Sequence, residues 1–461
     1  MKSFVMSWQN ILILCGGLTL AGVANAFDLM DAYRLARTGD ATYLVAQATA
    51  EAAHELVPQA RAGLLPQISA SATRGQNNTD QTTKASSRSL GGHATYDYIA
   101  KSSSINLRQP LLRLVNVLNY YQAQSQTAAA EATLAKDTQA LVLRVASAYF
   151  NTLISREKLE SVRAQIDAYA GQLSLSERAL SAGFGTRTDI DDAQAHFDMA
   201  AAQEIEEKNN LRGAERTLGG ILNQPVHSET LAGIDAGRLR LLSPDPDDLR
   251  AWISQAEERN PELQAIRLNI EVAERDVDKW RASHLPTVDL VASRGNSDSD
   301  SNNIIGNSYW TSSIGVQLTM PIYAGGQVNS GIRQARANLE KARQQYEAAR
   351  RQAGVEVAKQ FDTVEQGIAR IKGLEQALRS TEQAVLSSRK GVQAGVRNSV
   401  DVLNALQQRA TTRSDLAGAR AIYSYGWLNL KSAAGMLVEQ DVIDVNEWLA
   451  SSAAPANASK Q

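Results

Sequence analysis

Hydrophobic and polar positions alternate along the segment 308–328, "SYWTSSIGVQLTMPIYAGGQV". The even-numbered positions from 310 to 320 are mostly apolar, and the odd-numbered positions between them are mostly polar. A period of two predicts a β-strand with one apolar and one polar face. Pro321, Gly325 and Gly326 then end the pattern.

Three further segments, 65–74, 96–109 and 285–294, share this alternation, so the chain carries two pairs of predicted strands. Aromatic residues lie toward the outer end of the second strand of each pair: Tyr96, Tyr98, Tyr309 and Trp310. A polar segment lies between the two strands of each pair: "GQNNTDQTTKASSRSLGG" in the first and "GNSDSDSNNIIGNS" in the second. Their Asn, Asp, Gly and Ser content predicts loops.

Long helices are predicted between the strand pairs. Segments 111–182 and 328–394 contain no proline, and at 1.5 Å per residue each could reach roughly 100 Å. Ile332, Ala335 and Leu339 begin a seam with the spacing of a coiled coil. Each helix is expected to end at an Ala-Gly pair, reverse, and restart near Asp189 or Asp401 as a helix that runs to about 222 or 434.

The two halves of the chain resemble one another. Residues 40–75 align with 260–295 without a gap, and the matches include Pro66 with Pro286. Later in the chain "AGFGTRTDI" matches "AGVRNSVDV". A unit of roughly 210 residues is far longer than a solenoid repeat. The alignment predicts a two-fold internal repeat.

The first 26 residues predict a cleaved export signal. Lys2 precedes the apolar run "ILILCGGLTL", and Ala24-Asn25-Ala26 follows it. The run is too short to span a bilayer, although an N-terminal anchor helix is the alternative. The only cysteine, Cys15, lies inside the predicted signal. We therefore expect no disulfide and no cysteine metal ligand in the mature chain.

Composition argues against several functional classes. Loss of Lys2 with the signal would leave 46 of the 47 basic residues against 49 acidic ones, a net charge of −3, which does not favour nucleic-acid binding. The five histidines are scattered without metal-ligand spacing, and "GFGTRT" follows a predicted helix rather than a strand. We expect no catalytic site, no metal and no cofactor. No later segment has ~20 consecutive apolar residues, so no membrane-spanning helix is expected.

Contact with lipid explains the apolar faces of the strands better than burial inside a β-sandwich does. A sandwich needs about seven strands in succession, whereas these hairpins are far apart in the chain. Strand length, alternation and aromatic ends fit an outer-membrane barrel, whose smallest form has about eight strands. Each unpaired backbone group at a strand edge in lipid costs several kcal/mol. We therefore expect copies of the chain to pool their strands, as a dimer of eight or a trimer of twelve.

Residues 27–440 resemble the TolC family of outer-membrane channel-tunnels. The resemblance rests on the repeat, on the strand-to-helix joints "LRQPLLR" and "TMPIYAGGQV", and on the turns "AGFGTRTDIDDAQA" and "AGVRNSVDVLNALQ". It implies an α+β membrane protein, a homotrimer whose twelve-stranded β-barrel (four strands per chain) continues into a long coiled-coil α-helical barrel in the periplasm.

The resemblance also implies a function. Members are gated exit ducts of tripartite efflux or type I secretion systems in the outer membrane of Gram-negative bacteria, and iris-like movement of the helix ends opens them. Implied partners are outer-membrane lipid, a periplasmic adaptor protein, and an inner-membrane ABC or proton-driven transporter. A periplasmic coiled-coil scaffold or adaptor is the alternative, but it leaves the strands unexplained.

Nine segments are predicted along the chain. They are a signal peptide (1–26), a helix (27–63), a β-hairpin (64–110), a long helical hairpin (111–222), an equatorial connection (223–248), a second helix (249–284), a second β-hairpin (285–321), a second helical hairpin (322–435) and an equatorial C-terminal tail (436–461).

The resemblance points to four residues at the periplasmic entrance: Asp189, Arg397, Asp401 and Asn404. Arg397 could pair with Asp189 of a neighbouring hairpin, and Asp401 could form an acidic ring around the axis; alternatively, these residues cap helices. Asn404 stands where family members often have a second acid, and Val392 where an aromatic can occur, so we expect fewer anions and a weaker lock.

The two turns are also the expected docking site for an adaptor, which would meet them tip to tip. Small residues there would permit close approach. The residues expected to form this surface are Gly183, Gly185, Thr186, Gly395, Asn398 and Ser399.

Overall fold

The computed structural model describes residues 27–84, 91–301 and 304–449. The predicted signal peptide and residues 450–461 of the expected tail lie outside this part of the chain. No helix within it is long and apolar enough to cross a membrane.

The same order of elements occurs in each half: short helices, two strands, then two long helices. The first half contains α1 (Leu29–Gly39), α2 (Ala41–His54), α3 (Leu56–Ala62), β1 (Gln67–Thr83), β2 (Gly92–Leu112), α4 (Leu114–Ser181) and α5 (Arg187–Leu222). After a 3-10 turn at Ser228–Thr230, the second half contains α6 (Leu249–Arg259), α7 (Pro261–Ala282), β3 (Thr287–Ser301), β4 (Ile304–Thr319), α8 (Gln327–Gln393), α9 (Ser399–Ala433) and α10 (Glu439–Asn446).

The short helices correct the prediction of one helix over 27–63 and one over 249–284. Asp40 is extended, and its side chain accepts the Tyr43 N–H, which ends α1 and starts α2. Asn260 does the same before α7 by accepting the Glu262 N–H. Pro261 also disfavours a helical conformation at the residue before it. The physical reason for these two breaks is thus a capping side chain. The further break at Glu55, between α2 and α3, has no side-chain cap.

The four strands form one antiparallel sheet in the order β1-β2-β3-β4. They contain 17, 21, 15 and 16 residues, and β1 and β2 therefore continue through a segment that was expected to be a loop. Polar cross-strand pairs accompany this extension: Asn78 donates to Asp97 at 2.7 Å, and Thr95 donates to Asp80 at 2.5 Å. Residues with turn-forming composition thus extend a strand when a partner strand pairs with them.

The register assigns the residues of the sheet to two faces, because direct partners point the same way. One complete row across the four strands is Ile68, Leu107, Ala292 and Ile314. The other face is polar and carries hydroxyl pairs such as Ser293 with Ser313 at 2.7 Å. The predicted alternation therefore describes a whole sheet with one apolar face.

A buried ion cluster joins the sheet to the first long helix. Strand β2 continues past Pro110 to Leu112, with an irregularity in register, so α4 begins at Leu114 instead of 111. Asp289 on β3 is almost fully buried and accepts from Arg108 at 2.6 Å and from Arg113 at 2.8 Å. This carboxylate connects β3 to the end of β2 and to the residue that precedes α4.

The main core lies where the short helices pack around the middle of the long ones. Tyr149 of α4 is buried and donates to the carbonyl of Ala232 at 2.8 Å, and burial raises its pKa, so the hydroxyl stays protonated. Asp40 is also buried there. Burial opposes its ionisation, but the Tyr43 N–H and the Arg144 guanidinium hold its pKa below the ordinary value. These contacts fasten the N-terminal helix and the 223–248 connection to α4.

Candidate functional site

The turn between α4 and α5 is short and exposes an aromatic ring. Gly183 has φ +82°, a left-handed conformation that glycine adopts without strain. A Cβ at Gly185 would lie 2.8 Å from the backbone nitrogen of Leu180, so the chain passes too close for a side chain. Phe184, between the two glycines, is 90% exposed. We call residues 182–186 the first tip.

The turn between α8 and α9 has the same shape. Gly395 has φ +73°, and the following Val396 is 78% exposed. Arg397 folds back along α8: its Nη1 donates to the buried hydroxyl of Ser388 at 2.8 Å. A Cβ at Gly391 would lie 2.9 Å from Cδ of Arg397. We call residues 394–398 the second tip.

Reciprocal caps fix the start of both returning helices. Asp189 accepts at Oδ2 from the Thr186 N–H at 3.0 Å and from its hydroxyl at 2.6 Å, and the Asp189 N–H donates back at 3.2 Å. Asp401 accepts at Oδ2 from the Asn398 N–H at 3.3 Å, and its own N–H donates to Asn398 at 2.9 Å. Both acids therefore cap their own helices.

The chain does not pair Asp189 with Arg397. In the part of the chain that the structure describes, Oδ1 of Asp189 and Nε and Nη2 of Arg397 have no hydrogen-bond partner, so both side chains retain atoms for a neighbouring hairpin. Asn404 lies one turn beyond Asp401 on α9 and is exposed. The pairing between tips stays a prediction about assembly.

The two hairpins contact one another just above the tips. Nε2 of Gln172, on α4, donates to the hydroxyl of Ser399 at 2.8 Å, and both residues are buried. A small core lies beside this bond and includes Tyr169, Val385 and Leu403. The first residue of α9 is therefore held by the other long hairpin of the same chain.

Four of the six predicted docking residues are exposed: Gly183, Thr186, Gly395 and Asn398. Ser399 is a correction, because it is only 7% exposed and its hydroxyl already binds Gln172. Gly185 is partly buried, and the close approach of Leu180 explains why it is glycine.

Sequence reasoning missed the most exposed side chains of the tips, Phe184 and Val396. The sequence did contain a signal for the exposure of Phe184, because the motif Gly183-Phe184-Gly185 places an aromatic residue in a turn too short to bury it. Across the described ranges, no group of three or more His, Cys, Asp or Glu residues has the arrangement of a metal site.

Comparison with known proteins assigns the chain to a family. The model of the family described as outer membrane efflux protein matches residues 32–224 and 252–436. The proteases secretion protein PrtF of Dickeya chrysanthemi is 32% identical, over 93% of this chain and 93% of its own length. The outer membrane protein TolC of Escherichia coli is 31% identical, over 96% of this chain and 89% of its own length.

Solved structures agree on the fold. The outer membrane protein VceC of Vibrio cholerae superposes with a TM-score of 0.73 at 22% identity, covering 89% of this chain and 96% of that one. The CmeC outer membrane channel of Campylobacter jejuni gives 0.76 at 16% identity, covering 95% of each chain. The sheet with one apolar face, the long hairpins and the family match agree with the resemblance seen in the sequence, and the chain belongs to the outer membrane efflux protein family.

Proposed function

We propose that this protein is a gated exit duct of a tripartite export system, formed by three copies of the chain. The proposal rests on two properties of the sheet. It has one apolar face, and within the described residues its outer strands β1 and β4 each have one unpaired edge. Unpaired backbone groups in lipid are costly, and four strands are half of the smallest barrel.

Three copies would close the sheet with β4 of one chain beside β1 of the next. The result is a barrel of twelve strands, wide enough for a lumen, whereas eight strands would leave an interior filled by side chains. The apolar row that contains Ile68 and Ile314 would face lipid all around the barrel. The hydroxyl-rich face would then line a water-filled interior.

The helices supply the second part of the duct. Helices α4 and α8 contain 68 and 67 residues, about 100 Å at 1.5 Å per residue. Helix α4 begins just after β2, and α8 follows β4 after the short connection 320–326; both helices end at the tips. The helices would thus extend the barrel formed by the sheet, which supports the proposal of a conduit through the periplasm. The equivalent element order in the two halves supports the proposed internal repeat.

We infer that secreted proteins are the main cargo. PrtF and the alkaline protease secretion protein AprF of Pseudomonas aeruginosa are both named for protease secretion, and AprF is 32% identical over 92% of this chain and 88% of its own length. Small-molecule efflux is the second candidate, since the family and one relative, the outer membrane efflux protein BepC of Brucella suis, are named for efflux.

Deletion of the gene in its native host tests the function. Loss of one or more proteins from the culture medium, with rescue by a plasmid copy, is expected for secretion. Increased sensitivity to antibiotics, with rescue, would instead indicate efflux. If neither phenotype occurs and the protein fractionates with the periplasm, the exit-duct proposal is wrong and the scaffold alternative gains support.

The tips are the proposed entrance. A periplasmic adaptor, which links the duct to an inner-membrane transporter, would contact the exposed Phe184 and Val396 together with the flanking Gly183 and Gly395. An adaptor that covered these two side chains would remove apolar surface from water, which favours binding.

The gate is proposed to be a set of polar contacts. Arg397 of the second tip would bind Oδ1 of Asp189 in an adjacent hairpin, and the Asp401 side chains of three chains would form an acidic ring with Asn404 beside it. Exposed ion pairs are individually weak, so an adaptor that binds the open form better can shift the equilibrium.

A further inference from the structure

Three neighbouring strands share a pattern on the apolar face of the sheet. Going away from the long helices, the first charged side chain is Arg74 on β1, Lys101 on β2 and Arg294 on β3. The positions that precede them on this face are apolar apart from Gln109 and Ser103. A charge facing lipid is costly at the midplane of a membrane and cheap near its surface. Beyond the cations, the described positions of these three strands on this face carry one apolar residue, Ile99, so the cations lie near the outer limit of the apolar band.

Two of these cations lie side by side. Arg74 and Lys101 are direct partners in the β1–β2 ladder, so their Cβ atoms are about 5 Å apart. Both are exposed, and in the described ranges neither forms an ion pair, even though Asp298 is the partner of Lys101 on β3. Like charges directly opposite each other destabilise a sheet. An anion bound between them would replace that repulsion with two attractions.

The surface around the pair is a shallow, open depression. A groove of about 430 Å³ is lined by Arg74 and Lys101 together with Ser103, Asn296 and Asp298. We call it the basic groove. Next to it the Arg294 guanidinium lies 5.8 Å from the centre of the Trp310 ring. Tryptophan is typical of the boundary between lipid and water, where its apolar body and polar N–H meet different surroundings.

We propose that the basic groove binds the phosphorylated headgroup of a membrane lipid in the leaflet farther from the long helices. Arg74 would donate two parallel hydrogen bonds to one phosphate, and Lys101 would add a third. Ser103 and Asn296 offer neutral donors to the rest of the headgroup. Asp298 keeps the net charge of the groove at +1, which suits one phosphate better than a polyanion.

The acyl chains explain why the ligand is a lipid. Below Arg74 the same face carries Ala72, Ala70 and Ile68, and below Lys101 it carries Ile105 and Leu107. An anion held at the groove thus has an apolar surface directly beneath it. This inference rests on the proposed function, since it needs the apolar face of the sheet to lie against lipid.

Native mass spectrometry of the purified full-length assembly in detergent tests the proposal. The wild type is titrated with phosphatidic acid and with phosphatidylcholine of the same acyl chains. It should retain phosphatidic acid at a concentration lower by about tenfold. Arg74→Gln with Lys101→Gln should lose this preference, and the charge-conserving Arg74→Lys with Lys101→Arg should keep most of it.

The matched control is Arg370→Gln with Lys372→Gln. It removes the same two residue types from exposed positions on α8 and should bind as the wild type does. Equal retention of both lipids by the wild type, or equal retention of phosphatidic acid by wild type and groove variant, would overturn the proposal. So would displacement by inorganic phosphate at the lipid's own concentration, which would assign the groove to a free anion.

A different result is expected if the proposed orientation of the sheet, with its apolar face against lipid, is wrong. If the apolar face does not meet lipid, Ile314→Lys will assemble into membranes as well as the wild type does. Normal sensitivity to Ile314→Lys together with an unchanged groove variant would reject the lipid site alone.

Discussion

The side-chain amide of Gln172 donates a hydrogen bond of 2.8 Å to the hydroxyl of Ser399, and both groups are buried. Gln172 lies on α4, and Ser399 is the first residue of α9. The second tip is therefore tied to the long helix of the first hairpin, and the two tips of one chain do not move independently while this bond exists.

We predict that Ser399→Ala loosens the start of α9. The substitution leaves a buried amide donor without an acceptor, which costs about 1–3 kcal/mol. Hydrogen–deuterium exchange in the first turn of α9 should become faster. Gln172→Leu combined with Ser399→Ala should restore much of the protection, because no donor is then left unsatisfied. Equal exchange in the wild type and the single variant would show that the bond does not hold the tip.

We predict unequal tolerance of charge on the two faces of β4. Ile314→Lys or Val316→Arg should reduce barrel assembly, because a charge facing lipid costs roughly 2–4 kcal/mol near the midplane. Both side chains are exposed in the single chain, at 77% and 65%. Ser313→Lys and Gln317→Lys, on the other face, are the controls and should assemble. Heat-resistant trimers in outer-membrane fractions provide the measurement, and equal behaviour of both sets would contradict the barrel.

We predict that Asp289→Asn weakens the joint between sheet and helix. The carboxylate accepts from both Arg108 and Arg113, and its loss leaves two cations without their counter-charge. The cost should be about 3 kcal/mol, the lower end for a buried pair, because Arg108 is half exposed. The temperature at which the assembly dissociates on a gel should fall. Asp278→Asn, at an exposed ion pair with Arg281, should leave it nearly unchanged.

We predict that Arg397→Ser with Asp189→Asn raises single-channel conductance in planar bilayers. Both changes remove the proposed pair between neighbouring hairpins, so the closed mouth becomes less favourable. Asparagine keeps a side-chain oxygen for the cap at Thr186, which separates the gate from the cap. Thr186→Ala is the control for the cap and should not reproduce the increase. Unchanged conductance in the double variant would leave both residues with local roles only.

We predict that Phe184→Glu and Val396→Glu abolish export without preventing assembly. These side chains are 90% and 78% exposed, so their replacement disturbs no packing within the chain. They are better probes than Gly183 or Gly395, where positive φ makes any larger residue strained. Secretion and trimer formation are measured on the same cells. Arg187→Glu, beside the first tip, is a control for added charge. Normal export with both apolar tip residues changed would place the adaptor elsewhere.

The sequence predicted the apolar halves of the strands, because alternation has one physical meaning. It did not predict their outer halves, since Asn78 and Asp80 suit a turn as well as a solvent-exposed strand, and only pairing with β2 decides. The break at Asp40 had a local signal in its capping side chain, which a continuous helical pattern obscured.

At the tips, the caps at Asp189 and Asp401 are the alternative to roles in a gate, and local sequence indicates them because a cap involves residues three apart. The burial of Ser399 could not be predicted from local sequence. Its partner, Gln172, is 227 positions away in the chain, and no local pattern encodes that contact.

The unpaired edges of β1 and β4 have a genetic consequence. If closure of the sheet needs three chains, each edge strand completes its pairing only on another subunit. A variant that folds normally except along β4 would therefore enter mixed assemblies and spoil its neighbours. With equal expression of normal and defective chains, about one trimer in eight would be wholly normal by random assortment. Mutations along these edges should thus be dominant in a cell that also carries the intact gene, whereas a deletion should be recessive.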